Sequence, residues 1–176
     1  AYDDEYHNLW VCGSRNGVAQ VNAISAEEIE AYHFTEEYRP IRFLHVNNIL
    51  DIPRSSFMTY DHSYLYVGYY STKGNEMIKK YELQDDGNIQ SVRVEYDGQH
   101  SRQGVADEDD LEISRYAQGM TFLGDMLFLS YSMGITPSRL AAYQVSDGIR
   151  DYTDEMALQD IRLPRMLEQI CMDGGT

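Results

Sequence analysis

Three arginines recur at one place in an internal repeat, and their spacing suggests a chemical role. Arg54, Arg115 and Arg165 each stand four or five positions before the central hydrophobic residue of a predicted strand. A guanidinium offers a bidentate hydrogen-bonding fork that matches a carboxylate or a phosphate. Three converging guanidiniums would form an anion site in a chain whose formal net charge is −15. The alternative is that each arginine pairs with a nearby acid, for which the candidates are Asp51, Asp110, Glu112 and Asp160.

Tyrosine is the second residue type that could form a binding surface. The chain has 15 tyrosines, and Tyr69, Tyr70 and Tyr131 lie in or just after strands that begin with a leucine. A tyrosine ring combines flat apolar area with a hydroxyl group, which suits contact with a protein or a glycan. Tyrosine is also a common strand residue, so ordinary packing is the alternative for all three side chains.

Composition and motifs exclude several other classes of function. The 29 acidic residues outnumber the 14 lysines and arginines, whereas nucleic acids and anionic lipids both require a basic surface. No apolar run approaches 18 residues, so the sequence predicts no membrane insertion. The five histidines form no HExxH motif, and the sequence has no GxSxG, P-loop or GxGxxG motif.

The elements that must position these residues follow a repeating pattern. Three segments begin with leucine, an aromatic residue and an aliphatic residue, and continue with a small residue, a turn and an alternating strand. These segments start at Leu9, Leu65 and Leu127. A further strand is predicted before the second and third segments, around Met58 and Met120. The matching C-terminal segment is centred on Ile170, and it is predicted to be the first strand of a further unit.

Each unit is predicted to contain four short strands. The fourth strands are the least distinct, and they are placed at 42–47, 90–96 and 156–161. Asn16-Gly17 is a strong hairpin signal, because a type I′ turn needs a positive φ at both central positions. A capping box at 25–28 predicts one short helix near 25–33. The unit boundaries are approximately 1–52, 53–113 and 114–163, with 164–176 left for the further unit.

Four-stranded repeats of this length are typical of β-propellers, and the segments resemble the blades of gluconolactonase, lactonase-type and NHL-repeat proteins. The resemblance rests on the leucine-aromatic-aliphatic strands, on the strand that precedes them, and on LEQICMDGG at 167–175, which is similar to an inner strand and its Asp-Gly turn. It covers most of the chain. Gln169 departs from the glycine of many relatives, and WD and kelch signatures are absent. The resemblance implies an all-β, propeller-like single domain over 1–176.

The resemblance also implies where a ligand would bind. In such families the loops that enter the inner strands surround the mouth of a central channel, where ligands usually bind. The residues predicted to line this mouth are Arg54, Arg115, Arg165, Ser56, Gln118 and Glu168. The last three occupy one aligned position in the repeat.

Metal binding is a weaker implication of the same resemblance. A glutamate at the position of Glu168 can ligate a divalent cation in lactonase-type propellers, and calcium would need further oxygen ligands. Only Glu168 among the three aligned residues is acidic, so a polar channel lining is the alternative. The acidic run at 107–110 lacks the spacing of a calcium loop and is expected to be a solvated loop, with weak calcium binding as the alternative.

Three units are fewer than the four to eight blades of closed propellers. The chain could be part of a longer propeller, or a homodimer could complete a six-bladed ring. In other arrangements the sheets form an open stack, or the C-terminal strand pairs with the strand at Leu9. Cys12 and Cys171 are expected to be separate thiols. The alternative is a disulfide between them, which requires that last pairing, because diagonal neighbours on one face approach bonding distance.

These features predict a non-catalytic binding or scaffold module without a cofactor, which presents loops and a channel mouth to a protein, a glycan or a small anionic ligand. The alternative is a metal-dependent, lactonase-like hydrolase in which Glu168 is a ligand and the rest of the site lies on further blades. The acidic, tyrosine-rich and lysine-poor composition favours an extracellular or cell-surface location.

Overall fold

The computed structural model describes residues 1–33, 38–73, 76–89, 110–146, 151–165 and 170. These residues form three β-sheets of four or five strands, which confirms the predicted all-β class. The first sheet contains β1 (Tyr2–Asp3), β2 (Asn8–Arg15), β3 (Val18–Ser25) and β4 (His45–Ile49) in that order. Asn16 and Gly17 join β2 to β3 with φ angles of 54° and 81°, as the hairpin signal predicted.

The predicted helix is confirmed as α1 (Ala26–His33), which follows β3 directly. The Ser25 hydroxyl accepts a hydrogen bond from the backbone N–H of Glu28 at 3.2 Å, as a capping residue should. Glu27 and Glu28 lie in the first turn, where the helix dipole favours acidic side chains.

The second and third sheets repeat the strand order of the first. The second sheet contains β5 (Phe57–Tyr60), β6 (Tyr64–Gly68), β7 (Glu76–Glu82) and β8 (Leu111–Ile113). The third contains β9 (Ala117–Leu123), β10 (Met126–Tyr131), β11 (Ser138–Gln144) and β13 (Gln159–Leu163). Between β11 and β13, the two-residue strand β12 (Asp151–Tyr152) returns to the second sheet and pairs in parallel with β8.

In the second and third units, the first three strands agree better with the structure than the fourth strands do, whereas β1 of the first sheet was not predicted. β4 begins at His45 rather than residue 42, and β13 begins at Gln159 after a 3₁₀ turn at Asp154–Met156. The predicted strand at 90–96 lies outside the described residues. In the second sheet the fourth position belongs to β8, because Ile113 pairs with Glu76 of β7.

The N-terminal residues occupy one edge of β2. Tyr2 pairs with Leu9, and Ala1 exchanges two backbone hydrogen bonds with Trp10 at 2.7 and 3.0 Å. The edge of β2 at Leu9 and Trp10 is thus taken by the N-terminal residues, whereas the predicted C-terminal strand lies largely outside the described residues, so its pairing with β2 stays a prediction. Cys12 is a free thiol, and burial raises its pKa to about 11. Cys171 lies outside the described residues. Ile170 is described but lies in no strand.

Two hydrophobic cores join the three sheets, and the second sheet contributes one face to each. In the first core, Trp10 and Val21 of the first sheet join Leu65 and Val67 of β6. In the second core, side chains on the other face of the second sheet pack against side chains of the third sheet. The second sheet contributes Phe57, Tyr66 and Ile78, and the third contributes Leu127, Leu129 and Tyr143. Successive strand residues point to opposite faces, so the leucine-aromatic-aliphatic motif supplies both cores at once.

Candidate functional site

In the second and third sheets, antiparallel pairing places the loop before the first strand beside the end of the second strand. Predicted mouth residues of both sheets lie in or next to these loops. The loop entering β5 lies beside the end of β6, where the Ser56 N–H donates to the Gly68 carbonyl at 2.9 Å. The Ser56 hydroxyl also accepts from the Tyr70 N–H at 3.1 Å. At the equivalent place in the third sheet, the Ser132 N–H donates to the Tyr116 carbonyl at 3.0 Å. Since β5 contacts β9, these two loop regions are neighbours.

Tyr116 is the structurally unusual residue of this region. Its φ angle is 74°, in the left-handed region that bulky residues rarely adopt. Its N–H donates to the Glu76 carboxylate at 2.7 Å and to the Ser71 carbonyl at 3.2 Å. Such a backbone conformation persists only where surrounding contacts fix it, and it is more frequent at functional sites.

The strained backbone presents an aromatic and cationic surface, which we name the entrance cluster and define as Ser56, Tyr70, Arg115 and Tyr116. The rings of Tyr70 and Tyr116 lie 6.2 Å apart between centroids, and both residues are partly exposed. The guanidinium of Arg115 lies 5.0 Å from the centroid of the Tyr116 ring, a distance at which cation and ring attract each other. Arg115 itself is exposed, so its hydrogen-bonding fork faces solvent.

Glu76 lies beneath the entrance cluster and is fully buried. One carboxylate oxygen accepts from the N–H groups of Ser71 and Tyr116, while the other has no hydrogen-bond partner. Burial raises the pKa of Glu76 to about 8, although the backbone N–H groups oppose this shift. The carboxylate joins the second sheet to the loop that enters β9. Sequence reasoning missed both Glu76 and Tyr116, because neither stands in a recognisable motif.

A buried ion pair lies on the opposite face of β7. The Lys79 ammonium approaches the Asp110 carboxylate at 2.6 Å, and each side chain is less than a tenth exposed. The prediction that Asp110 belongs to a solvated acidic loop is therefore wrong, because this residue lies directly before β8 and its side chain is buried against Lys79. Residues 107–109 lie outside the described residues.

Three of the four acids that were candidate partners of the predicted arginines contact other residues. Asp51 accepts a hydrogen bond from the Tyr81 hydroxyl at 2.9 Å, and Asp110 pairs with Lys79. Asp160 pairs with Arg139 at 3.0 Å. These acids are engaged by residues that are distant in sequence, and Arg54, Arg115 and Arg165 are all exposed.

The structure brings only some of the predicted mouth residues together. Arg54 and Arg115 lie on neighbouring loops, and half-buried Gln118 lies at the irregular start of the β9–β10 pairing. Arg165 follows the end of β13, and no described contact joins it to the other two arginines. Glu168 lies outside the described residues, so its predicted roles as mouth residue and metal ligand stay predictions.

The three tyrosines predicted for a partner surface differ in exposure. Tyr70 belongs to the entrance cluster, and Tyr69 is partly buried against the first core. Tyr131 is only 4% exposed, and its hydroxyl lies 3.0 Å from that of Tyr143 within the second core. The prediction that Tyr131 lies on a partner surface is therefore wrong, since its strand position points into the core.

Within the described residues, no group of three or more histidine, cysteine, aspartate or glutamate side chains is arranged to hold a metal ion. In the same part of the chain, no helix has the length and apolar character needed to cross a membrane. Comparison with known proteins adds no family assignment: no protein-family model and no curated protein matches the sequence.

Proposed function

We propose that this protein is a non-catalytic binding module of the β-propeller type, and that its entrance cluster contacts an anionic group of the ligand. The propeller arrangement is supported by three sheets of similar strand order, each of which packs on the next through opposite faces. The contact between β5 and β9 also favours first strands that gather on one side.

The observation that carries the ligand proposal is the strained backbone of Tyr116. It holds an exposed guanidinium against an aromatic ring, next to a second ring and close to the loop that carries exposed Arg54. A guanidinium matches the oxygen pair of a carboxylate or phosphate, and the rings offer flat apolar contact. The shared chemistry is thus an anionic group on a small molecule, a glycan or a protein.

The position of Glu76 supports a binding role over a catalytic one. A general acid or base must come within hydrogen-bond reach of the proton that it transfers. Glu76 is covered completely, and one of its oxygens is occupied by backbone N–H groups. We assign it a positioning role, in which it fixes the backbone of Tyr116 and thereby the orientation of Arg115.

The proposal is tested by titrating the protein with citrate and inorganic phosphate at constant ionic strength, while the backbone amide resonances are followed by NMR. We expect saturable shifts at Tyr70, Arg115 and Tyr116, and at least a tenfold weaker affinity in the R54A/R115A variant. The matched control is R162A, which removes an exposed arginine from β13. Shifts that do not saturate, or an affinity that R54A/R115A leaves unchanged, would contradict the proposal.

The alternative function, a metal-dependent hydrolase, is tested by measuring the melting temperature with and without divalent metal ions. A ligand that binds only the folded state raises the melting temperature. Stabilisation by millimolar Ca²⁺, Mn²⁺ or Zn²⁺ that is lost in the E168Q variant would favour the hydrolase over the binding module.

A further inference from the structure

A series of hydrogen bonds joins loops of all three sheets at the end where the entrance cluster lies. The loop that enters β5 reaches the first sheet, because the Ser55 hydroxyl accepts from the Gly13 N–H at 3.3 Å. The next residue, Ser56, reaches the second sheet, where its hydroxyl accepts from the Tyr70 N–H at 3.1 Å. This loop therefore links the last part of β2 to the loop that follows β6.

The series continues from the second sheet to the third. The Tyr116 N–H donates to the Ser71 carbonyl at 3.2 Å, and the Tyr116 carbonyl accepts from the Ser132 N–H at 3.0 Å. These contacts hold the loops of the three sheets side by side, and we name the surface that they form the rim. It consists of the segments 13–17, 50–56, 69–73, 114–118 and 132–137.

The rim is basic, although the chain as a whole is acidic. Its lysine and arginine residues are all exposed, and they are Arg15, Arg54, Lys73 and Arg115. Its single acidic residue is Asp51, whose carboxylate accepts a hydrogen bond from the Tyr81 hydroxyl at 2.9 Å. Because the chain has 29 acidic residues and only 14 lysines and arginines, the rim reverses the overall ratio of charges.

The turns at the opposite end of the same sheets carry the opposite charge. The turns from first strands to second strands lie there, at 4–7, 61–63 and 124–125. They contain no lysine or arginine, and their acidic residues are Asp4, Glu5, Asp61 and Asp125. Charge is thus segregated between the two ends of the sheets, and the resulting field attracts an anionic ligand towards the rim.

The four cations of the rim are spread along it rather than gathered at one point. Arg15 belongs to the first sheet, Lys73 to the loop between β6 and β7, and Arg115 to the loop that leads into the third sheet. The ion pairs formed among the described residues involve other basic side chains. Stacked sheets lie about 10 Å apart, so cations on three successive sheets extend over about 20 Å. One small anion cannot contact all of them.

The side chains between the cations are suited to sugars. Asn16, Ser56 and Thr72 are exposed and offer amide or hydroxyl groups, which can both donate and accept hydrogen bonds. The partly exposed rings of Tyr70 and Tyr116 add flat apolar area with a hydroxyl group. An extended peptide typically adds to an exposed strand edge, whereas the rim consists of strand ends and loops.

We propose that the rim binds a linear acidic glycan along its length, with carboxylate or sulfate groups of separate sugars contacting Arg15, Lys73 and Arg115. This inference rests on the proposed function, because it extends the anion contact at Arg115, and it names the class of ligand. Several anionic groups on one chain bind more tightly than one group does, because each further contact is intramolecular.

Titration calorimetry with oligogalacturonates, which carry one carboxylate on each sugar, tests the proposal at chain lengths from a single sugar to an octasaccharide. We expect the affinity to rise with chain length and to level off once the glycan spans the rim. Fully methyl-esterified oligomers contain the same sugars without the charge, and they should bind at least tenfold more weakly. Heparin oligosaccharides of matched length also carry sulfate, so the tighter of the two acidic glycans identifies the anionic group.

The R15A/K73A variant separates the rim from the entrance cluster, because both cations lie outside that cluster. We expect it to weaken octasaccharide binding at least tenfold and to remove most of the gain in affinity with chain length. The matched control is R42A, which removes an exposed arginine from the loop before β4, at the opposite end of the first sheet. It should leave the affinity unchanged. All three side chains are exposed, and melting temperatures measured in parallel confirm that the variants are folded.

Three results would overturn the inference. They are an affinity that does not change with chain length, octasaccharide binding that R15A/K73A leaves unchanged, and tighter binding of poly-L-glutamate than of either acidic glycan. If citrate still shifts the Arg115 resonance, the proposed function stands after any of these results. If citrate does not bind, the proposed function fails and this inference fails with it.

Discussion

Glu76 illustrates how burial and hydrogen bonding compete on a single residue. The N–H groups of Ser71 and Tyr116 favour the ionised carboxylate, whereas removal from water favours the protonated form. Burial has the larger effect, so the pKa of Glu76 rises to about 8. The folded protein therefore retains a proton that the unfolded chain has already released at neutral pH.

This raised pKa predicts the direction of a pH dependence. The contribution of Glu76 to the free energy of unfolding is full below its unfolded pKa of 4.5, and it is lost as the pH rises through about 8. In the E76Q variant the side chain no longer titrates, although its amide oxygen can still accept from the backbone. Relative to E76Q, the unmodified protein should lose stability with rising pH, by up to about 1.4 kcal/mol per pH unit.

Urea denaturation at several values between about pH 5 and pH 8 measures this difference. The control is E82Q, which removes a carboxylate from the exposed end of the same strand. Parallel pH profiles for E76Q and the unmodified protein would show that Glu76 does not titrate in this range.

At the scale of elements, the β5–β6 hairpin depends on a close approach between a glycine and an aromatic ring. Gly68 pairs with Phe57 across the two strands, and the Phe57 ring covers the glycine. A Cβ atom at Gly68 would lie 2.2 Å from a ring carbon of Phe57, which is 2% exposed and belongs to the second core.

The G68A variant should therefore lose about 1–3 kcal/mol of stability, because the ring must move within a packed core. G13A is the matched control on β2, since a Cβ atom there meets the nearest side chain at an ordinary 3.5 Å. We expect G13A to change stability by less than about 0.5 kcal/mol. Equal losses in the two variants, measured by thermal and urea unfolding, would argue against a special role for the Gly68–Phe57 contact.

Before β2 and before β6, an aspartate accepts a hydrogen bond from the aromatic residue of the motif, which the repeat pattern did not predict. In the first sheet the Trp10 indole donates to the Asp3 carboxylate at 2.9 Å. In the second sheet the Tyr66 hydroxyl donates to Asp61 at 2.8 Å. The signal was present as the Tyr-Asp pairs at Tyr2-Asp3 and Tyr60-Asp61. An aspartate at the turn thus orients the aromatic residue of the motif in two of the three sheets.

At the scale of the whole molecule, we expect the second sheet to couple the unfolding of the two cores, because it contributes side chains to both. Its strands supply Leu65 and Val67 to one core, and Tyr66 and Ile78 to the other. Neighbouring repeats that share a sheet in this way are expected to unfold together where the interface energies are large. Trp10, the sole tryptophan, lies in the first core and reports on it directly.

The I78A variant tests this coupling. Ile78 is fully buried in the second core, so its truncation should cost about 2–5 kcal/mol. We expect the unfolding midpoint from Trp10 fluorescence to fall as far as the midpoint from far-ultraviolet circular dichroism. I135A, at a highly exposed residue, is the control. A Trp10 transition that stays at its original midpoint would mean that the two cores unfold independently.

The sequence by itself determined the β class, the helix after Ser25, the Asn16-Gly17 hairpin and the first three strands of two units. These features are encoded locally, by alternation, capping and turn residues. The tertiary structure decided which residues face a core and which remain on the surface. Tyr131 is buried, Asp110 pairs with Lys79, and Tyr116 is held at a positive φ because of what other sheets and loops place beside them. Such long-range contacts leave no periodic signal in the chain, because their energies depend on which segment covers the residue.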